Sequence, residues 1–168
     1  MNQTHIPAIL DIEASGFGKG SYPIEIGVAT ESGETFSWLV KPEDDWVHWN
    51  EEAAELHKIS RQELFEKGLS CREIAQLLNE KFEGQTIYSD GWGVDSGWLA
   101  LLFYTAGQSM YFKLDTLPKV MTQFQLEHWD LTKELLREKY GWQHHRAGID
   151  AHLLQLTYQR TAIEEQLS

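Results

Sequence analysis

Pro7-Ala8-Ile9-Leu10-Asp11-Ile12-Glu13-Ala14 is the stretch that decides the fold. Ala8, Ile9, Leu10 and Ile12 make it apolar on both faces, the pattern of a central strand covered by helices on either side. Asp11 and Glu13 break that pattern. Spaced by one residue, they point to the same face of the strand. Unpaired carboxylates are costly to bury, so two of them on a central strand call for a compensating charge, and a bound divalent cation supplies one.

Working outward, Ile24 to Thr30 and Thr35 to Val40 read as two further strands, joined through the short Glu31-Ser32-Gly33-Glu34 segment as a hairpin. The sheet therefore opens as an antiparallel meander. Ser60-Arg61-Gln62-Glu63 and Ser70-Cys71-Arg72-Glu73 both match the capping-box pattern, and the second precedes Ile74, Leu77, Leu78 and Phe82 at helical spacing. This spacing predicts a helix over Ser70 to Phe82. A strand follows over Gln85 to Ser89, then a helix over Asp95 to Ala106 and a short strand over Tyr111 to Leu114. Asp115 or Thr116 is expected to cap a helix towards Glu127, with Asp130 opening another that runs to Tyr140. The last helix is expected from Gly148 to Gln166. Three strands followed by alternating helix and strand predict an α/β fold with a mixed five-stranded sheet flanked by helices. No repeat or linker divides the chain, so residues 1–168 are expected to form one domain.

The 168 residues suffice to bury roughly 70% of the surface an unfolded chain exposes. A hydrophobic content of 42% against 24% charged residues excludes a disordered chain. Apolar stretches such as Ile6 to Leu10 are far too short for a membrane span. Met1-Asn2-Gln3-Thr4-His5 lacks the basic patch and apolar core of a secretion signal, and Cys71 has no partner for an internal disulfide, so a reducing cytoplasm is expected. A formal charge of −12 argues against a long duplex partner, because phosphate binders usually neutralise the backbone with Lys and Arg. Much of the excess lies between Glu43 and Glu66 and reads as a solvated face. Cations held by acidic residues partly reverse the logic, which leaves short substrates gripped at one end.

Hydrolysis of phosphodiesters by two metals needs oxygen ligands that hold the ions about 3.5 to 4 Å apart. Carboxylates suit Mg²⁺ or Mn²⁺, and one cysteine cannot build a thiolate zinc site. Asp11 and Glu13 supply ligands from one strand. Asp95 lies in Ser89-Asp90-Gly91-Trp92-Gly93-Val94-Asp95, past the end of a predicted strand, where α/β sheets place ligands. It also suits a helix N-cap, and the two roles are compatible. Asp90 reads as a stabiliser of the glycine-rich turn. His145 and Asp150, five residues apart, would diverge by about 140° on one helix. The workable arrangement puts Asp150 in the first turn of the last helix as a ligand and His145 on the preceding segment. An imidazole, ordinarily titrating near pH 6.5, is a proton acceptor at physiological pH. His144 is the rival base, while His5, His48, His57, His128 and His152 read as structural or exposed.

Asp11-x-Glu13, Asp95 before an aromatic-rich helix, and His145-x4-Asp150, in that order, resemble the DEDDh 3′–5′ exonucleases, an RNase H-like family that includes proofreading subunits, RNase T and oligoribonuclease. Ile24-Glu25-Ile26-Gly27 looks like the family's second strand and Leu56-His57-Lys58-Ile59-Ser60 like its His-Gly-Ile-Thr segment. The resemblance implies that Asp11, Glu13, Asp95 and Asp150 bind two Mg²⁺ or Mn²⁺ ions, that His145 is the general base, and that a homodimer forms. Three positions depart from the family pattern. Ala14-Ser15 stands where Thr often follows the second acid, which bears on contacts to the terminal sugar. Asp90 lies where a His-Asn pair is common, and Lys58 replaces the usual Gly.

Phe17 and Trp92 flank the site in glycine-rich segments, positioned to stack on bases, and Lys19 or Arg146 is positioned to touch a phosphate. Gly16-Phe17-Gly18-Lys19-Gly20 lacks the spacing of a phosphate-binding loop. The function expected is release of nucleoside monophosphates from the 3′ end of single-stranded nucleic acid, RNA slightly ahead of DNA. Two other readings stand beside it. A non-catalytic nucleic-acid-binding module of the same fold would lack a ligand or the base. A glycosidase acid pair at Asp11 and Glu13 leaves Asp95, His145 and Asp150 unexplained.

Overall fold

The computed structural model describes residues 5–168. Met1-Asn2-Gln3-Thr4, on which most of the secretion-signal reading falls, lies outside the described residues. Strands β1 (Ile9–Ala14), β2 (Pro23–Ala29) and β3 (Thr35–Leu39) form the meander, followed by helices α1 (Glu51–His57), α2 (Arg61–Lys67) and α3 (Cys71–Phe82). Then come β4 (Thr86–Ser89), α4 (Trp92–Ala106), β5 (Lys113–Thr116), α5 (Gln123–Tyr140) and α6 (Ala147–Leu167). The sheet order is β3-β2-β1-β4-β5, antiparallel through β1, β2 and β3 and parallel from β1 to β4 to β5. This is the mixed five-stranded α/β arrangement expected, with β1 at its centre.

The two faces of β1 differ in chemistry. Leu10 and Ile12 join Ile24, Ile26 and Val28 in a core closed by α3 and α4 through Ile74, Leu78, Leu99 and Leu102. Each such side chain, fully buried, contributes roughly 1.5 to 3 kcal/mol. The alternate residues face α5 and α6, where Ile9 and Ala29 pack with Trp129, Ala151 and Leu154. Asp11 and Glu13 continue that second face beyond Ile9, so the apolar contact gives way to carboxylates at the carboxyl end of the strand.

Local signals account for most helix ends. Ser70 and Glu73 form the reciprocal capping box at α3, and Ser60 accepts from the Glu63 amide at α2. The acidic segment, read as a solvated face, keeps most of its carboxylates exposed and carries two short helices, because Asn50 and Ser60 each cap a turn and Ile59 and Leu64 are buried beneath it. Three expectations are corrected. Asp95 does not cap α4, which starts three residues earlier at Trp92 with no side-chain cap. The fifth strand lies two residues later than expected, since Phe112 enters the core and Lys113 to Thr116 pair with β4. Asp115 and Thr116 therefore belong to a strand. Between Thr116 and Tyr140 there is one long helix, because Pro118 sits in a short 3₁₀ turn, Thr122 and Gln125 make the capping box, and no breaker interrupts Glu127 to Asp130.

The closest approach in the fold is between β2 and the start of α6. A Cβ on Gly27 would lie 2.1 Å from the Ala147 carbonyl carbon and 2.3 Å from the Gly148 nitrogen. Both are backbone atoms, which no rotamer change can move aside. Gly27→Ala is expected to destabilise by about 1 to 3 kcal/mol or more, read from urea unfolding. Gly97→Ala, on α4 with nothing within 4 Å of the added carbon, serves as the control and is expected to stabilise by up to about 1 kcal/mol. Equal effects of the two would mean that the β2–α6 approach tolerates a side chain.

Candidate active site

Asp11 and Glu13 pair across the antiparallel ladder with Gly27 and Glu25, so all four share the face covered by α6. Glu25 is almost fully buried and is held from three directions. Arg146 Nε lies 3.1 Å from each Glu25 oxygen, its Nη2 lies 2.6 Å from Oε2, and the Ala147 amide donates to Oε1 at 2.7 Å. Arg146, expected near a substrate phosphate, has its guanidinium committed to this pair. The bond fixes the first turn of α6 against β2 and brings Asp150, one turn in, to Glu13. The His145 amide donates to the Leu56 carbonyl at 3.0 Å, which tethers the preceding segment to the end of α1. There His145 Nδ1 is 3.8 Å from Asp150 Oδ2.

Two groups of potential ligand atoms result, each with all its members within 4.8 Å of one another: Glu13, His145 and Asp150 in one, and Asp11, Asp90 and Asp95 in the other. The structure thus brings Asp11, Glu13, Asp95, His145 and Asp150 together from β1, α4, α6 and the segment before α6. It adds Asp90, read from sequence as a turn residue. Asp90 does hold backbone amides of the turn, yet its carboxylate also reaches the site. The available signal was its position directly after the last residue of β4. Asp95 is buried and accepts a 2.5 Å hydrogen bond from Ser89 Oγ, which orients it towards Asp11.

Crowding and burial hold these acids towards the protonated form. Asp11 is raised well above its ordinary value, by burial first and then by Glu13, Asp150, Asp95 and Asp90. Burial and then Asp150 push Glu13 up to about 9, and burial pushes Asp95 up to about 7 against the Ser89 hydrogen bond. Asp150 is also raised by burial, although Glu13, Arg137 and His145 oppose the shift. Asp11 Oδ2 is buried with no hydrogen-bond partner. An orphaned carboxylate oxygen among raised carboxyls is a donor set suited to a hard cation, and the residues present fit such a group.

Beside the carboxylates lies a cavity of about 340 Å³ walled by Ile12, Ala14, Phe17, Leu56, Val94 and Trp98. That volume is within the roughly 300 to 1,000 Å³ of small-molecule pockets. Phe17, 76% exposed, stands with its ring centroid 6.0 Å from that of Trp98. Trp92 is placed elsewhere, donating from Nε1 to the Leu114 carbonyl on β5. Trp98, grouped in the sequence with core tryptophans, is the indole on the cavity. Ser15 is buried and bonded to His48 Nδ1 at 2.8 Å and to the Tyr22 amide, so its hydroxyl supports the turn. His57, read as structural or exposed, is buried in the cavity wall, its Nδ1 accepting from the Ile59 amide. Lys58, where the family favours glycine, adopts a left-handed backbone with φ 58°.

No family model and no curated protein matches the chain at the level of sequence. Solved structures match its fold. E. coli exonuclease I in complex with a dT13 oligonucleotide superposes with a TM-score of 0.66 at 17% identity, over 94% of this chain and 40% of that one. A product-bound exonuclease I gives 0.64 at 18%, over 92% and 43%, and the zinc-bound form of the E. coli exonuclease I complex with single-stranded DNA gives 0.62 at 14%, over 95% and 40%. The fold is therefore RNase H-like, as in these exonuclease chains, and this chain spans about two fifths of their length.

The raised carboxyls set a pH-dependent response. Between the unfolded pKa of about 4 and the higher folded values, the folded protein binds more protons than the unfolded one, so stability falls as pH rises. Without metal, the melting temperature is expected to drop between about pH 5 and about pH 8, and Mg²⁺ or Mn²⁺ to stabilise more at the higher pH. Asp11→Asn should flatten the metal-free drop. A metal effect as large at the lower pH would count against these carboxylates as ligands.

Proposed function

We propose that this chain is a metal-dependent 3′–5′ exonuclease that releases nucleoside monophosphates from the 3′ end of single-stranded nucleic acid. The observation that carries the reading is the pair of carboxylate groups around Asp11 and Glu13, with a histidine at their edge and an apolar cavity beside them. Asp11, Glu13, Asp95 and Asp150 would hold two Mg²⁺ or Mn²⁺ ions, with Asp90 in reach of the group around Asp11. Bound there, the ions supply an activated water and charge stabilisation for the leaving oxygen. His145 accepts the proton of the attacking water from its half-exposed position, while Asp150 and the tether to Leu56 orient its ring. Ala14, Phe17 and Trp98 receive the terminal nucleoside, and base stacking there contributes roughly 1 to 3 kcal/mol. The exonuclease I structures hold DNA oligonucleotides, so we take DNA first. The expected RNA preference and homodimer find no support in the site.

A 5′-labelled single strand is expected to shorten stepwise from its 3′ end with Mg²⁺ or Mn²⁺ and to stay intact in EDTA. Asp11→Ala and Asp150→Ala should each lower turnover by more than about a hundredfold, and His145→Ala by about 10² to 10⁴, with His144→Ala much milder. Equal cleavage in EDTA, or shortening from the 5′ end, would defeat the reading, and matched RNA and DNA oligomers decide the sugar.

A further inference from the structure

The carboxylates stand at the seam of two cavities with different walls. On one side is the apolar cavity of Phe17 and Trp98. On the other is a cavity of about 210 Å³ in which Asp11, Glu13, Asp90 and Asp150 face Lys133 and Arg137 of α5. Four residues apart, Lys133 and Arg137 share one helix face. In a chain with 14 Lys and Arg against 26 Asp and Glu, two cations directed into one cavity depart from the general charge.

Their bonding differs. Arg137 is held at both ends of its guanidinium, with Nη1 donating to the Trp142 carbonyl at 3.2 Å and Nη2 to Asp150 Oδ1 at 3.3 Å. Lys133 makes no hydrogen bond or ion pair among the described residues, although it is half-buried and its charge acts on Asp90. A lysine that faces carboxylates and bonds to none of them keeps its donors for an anion brought by the substrate.

Resting on the exonuclease reading, we propose that Lys133 binds the phosphate one linkage to the 5′ side of the scissile bond, with Arg137 as the positioning residue that holds Asp150 beside it. With the terminal nucleoside in the apolar cavity and the scissile phosphate over the carboxylates, the strand continues on the far side, past α5. An ammonium meets a phosphodiester there as a compact point charge. Cations held by the carboxylates would offset the attraction of Asp90 for Lys133 and leave its ammonium for that phosphate.

The test compares wild type, Lys133→Gln and Lys133→Arg on a dinucleotide, which has only the scissile linkage, and on a trinucleotide, which has the next phosphate as well. The wild-type preference in kcat/KM for the trinucleotide is expected to shrink about tenfold in Lys133→Gln, chiefly through KM, and to return in Lys133→Arg. On a longer single strand, the slope of log KM against log salt should flatten by about 0.7. An equal loss on both substrates, an unchanged preference, or a changed Mg²⁺ requirement with the preference intact overturns the assignment. If wild type cleaves no oligonucleotide, the exonuclease reading fails first and the assignment falls with it.

Discussion

The carboxylate site depends on how closely helix α6 can approach strand β2. At Gly27 two backbones meet with no room for a Cβ, and two residues earlier Glu25 receives both Arg146 and the Ala147 amide. A buried ion pair of this kind is weak evidence of net stabilisation, because desolvation offsets much of its Coulomb energy. Its geometric effect is clearer. It orients the helix so that the first turn delivers Asp150 to Glu13, while the His145 amide is tied to Leu56 on the opposite side. The six residues from His145 to Asp150 are thus constrained from β2 and from α1 at once, and a displacement at either tether moves His145 and Asp150 together.

That constraint works against the electrostatics of the metal-free chain. Five carboxylates converge on one end of β1; burial raises Asp11, Glu13, Asp95 and Asp150, and repulsion from neighbouring acids adds to the shift at Asp11, Glu13 and Asp95. The apolar packing on both faces of the sheet must hold the acids in place against this repulsion. Functional sites commonly oppose the stability of their scaffold in this way. A cation held among these acids would relieve the opposition. The Ser89 hydrogen bond to Asp95 and the Arg137 bond to Asp150 orient two of the acids without neutralising the group, which leaves the site selective for an added cation.

Much of this was legible in residue pattern because the governing forces were local. The alternation of Asp11 and Glu13 with Leu10 and Ile12 depends on strand geometry alone, and the Ser70 capping box and the Glu31–Glu34 hairpin depend on a few neighbouring residues. What the pattern missed depended on tertiary placement. Asp115 and Thr116 are good caps in isolation, but parallel pairing with β4 drew them into β5. Asp130 is a good helix start, yet a Thr122 cap with its Gln125 partner already lay upstream. Arg146 beside His145 suggested a phosphate contact, and only the fold brings Glu25, 121 residues away, against it. Likewise the choice of Trp98 over Trp92 as the indole on the cavity follows from where α4 begins. That start lies three residues upstream of Asp95, at Trp92, with no side-chain cap.

On the proposed function, an acidic chain that handles an acidic polymer could not rely on broad electrostatic attraction, and a charge of −12 would make approach of a duplex unfavourable. Attraction would have to be local and partly uncharged. The cavities would divide these tasks: Phe17 and Trp98 would offer stacking surface, the carboxylates would hold cations at the scissile phosphate, and α5 would supply a lysine beside them. Stacking needs bases whose faces are free, and in a duplex they are covered by neighbouring pairs. On that reading, selection for an unpaired end would follow from the weakness of the general field as much as from the shape of the cavity. Adding basic surface to strengthen binding would weaken that selection, since phosphate contacts are insensitive to whether bases are paired.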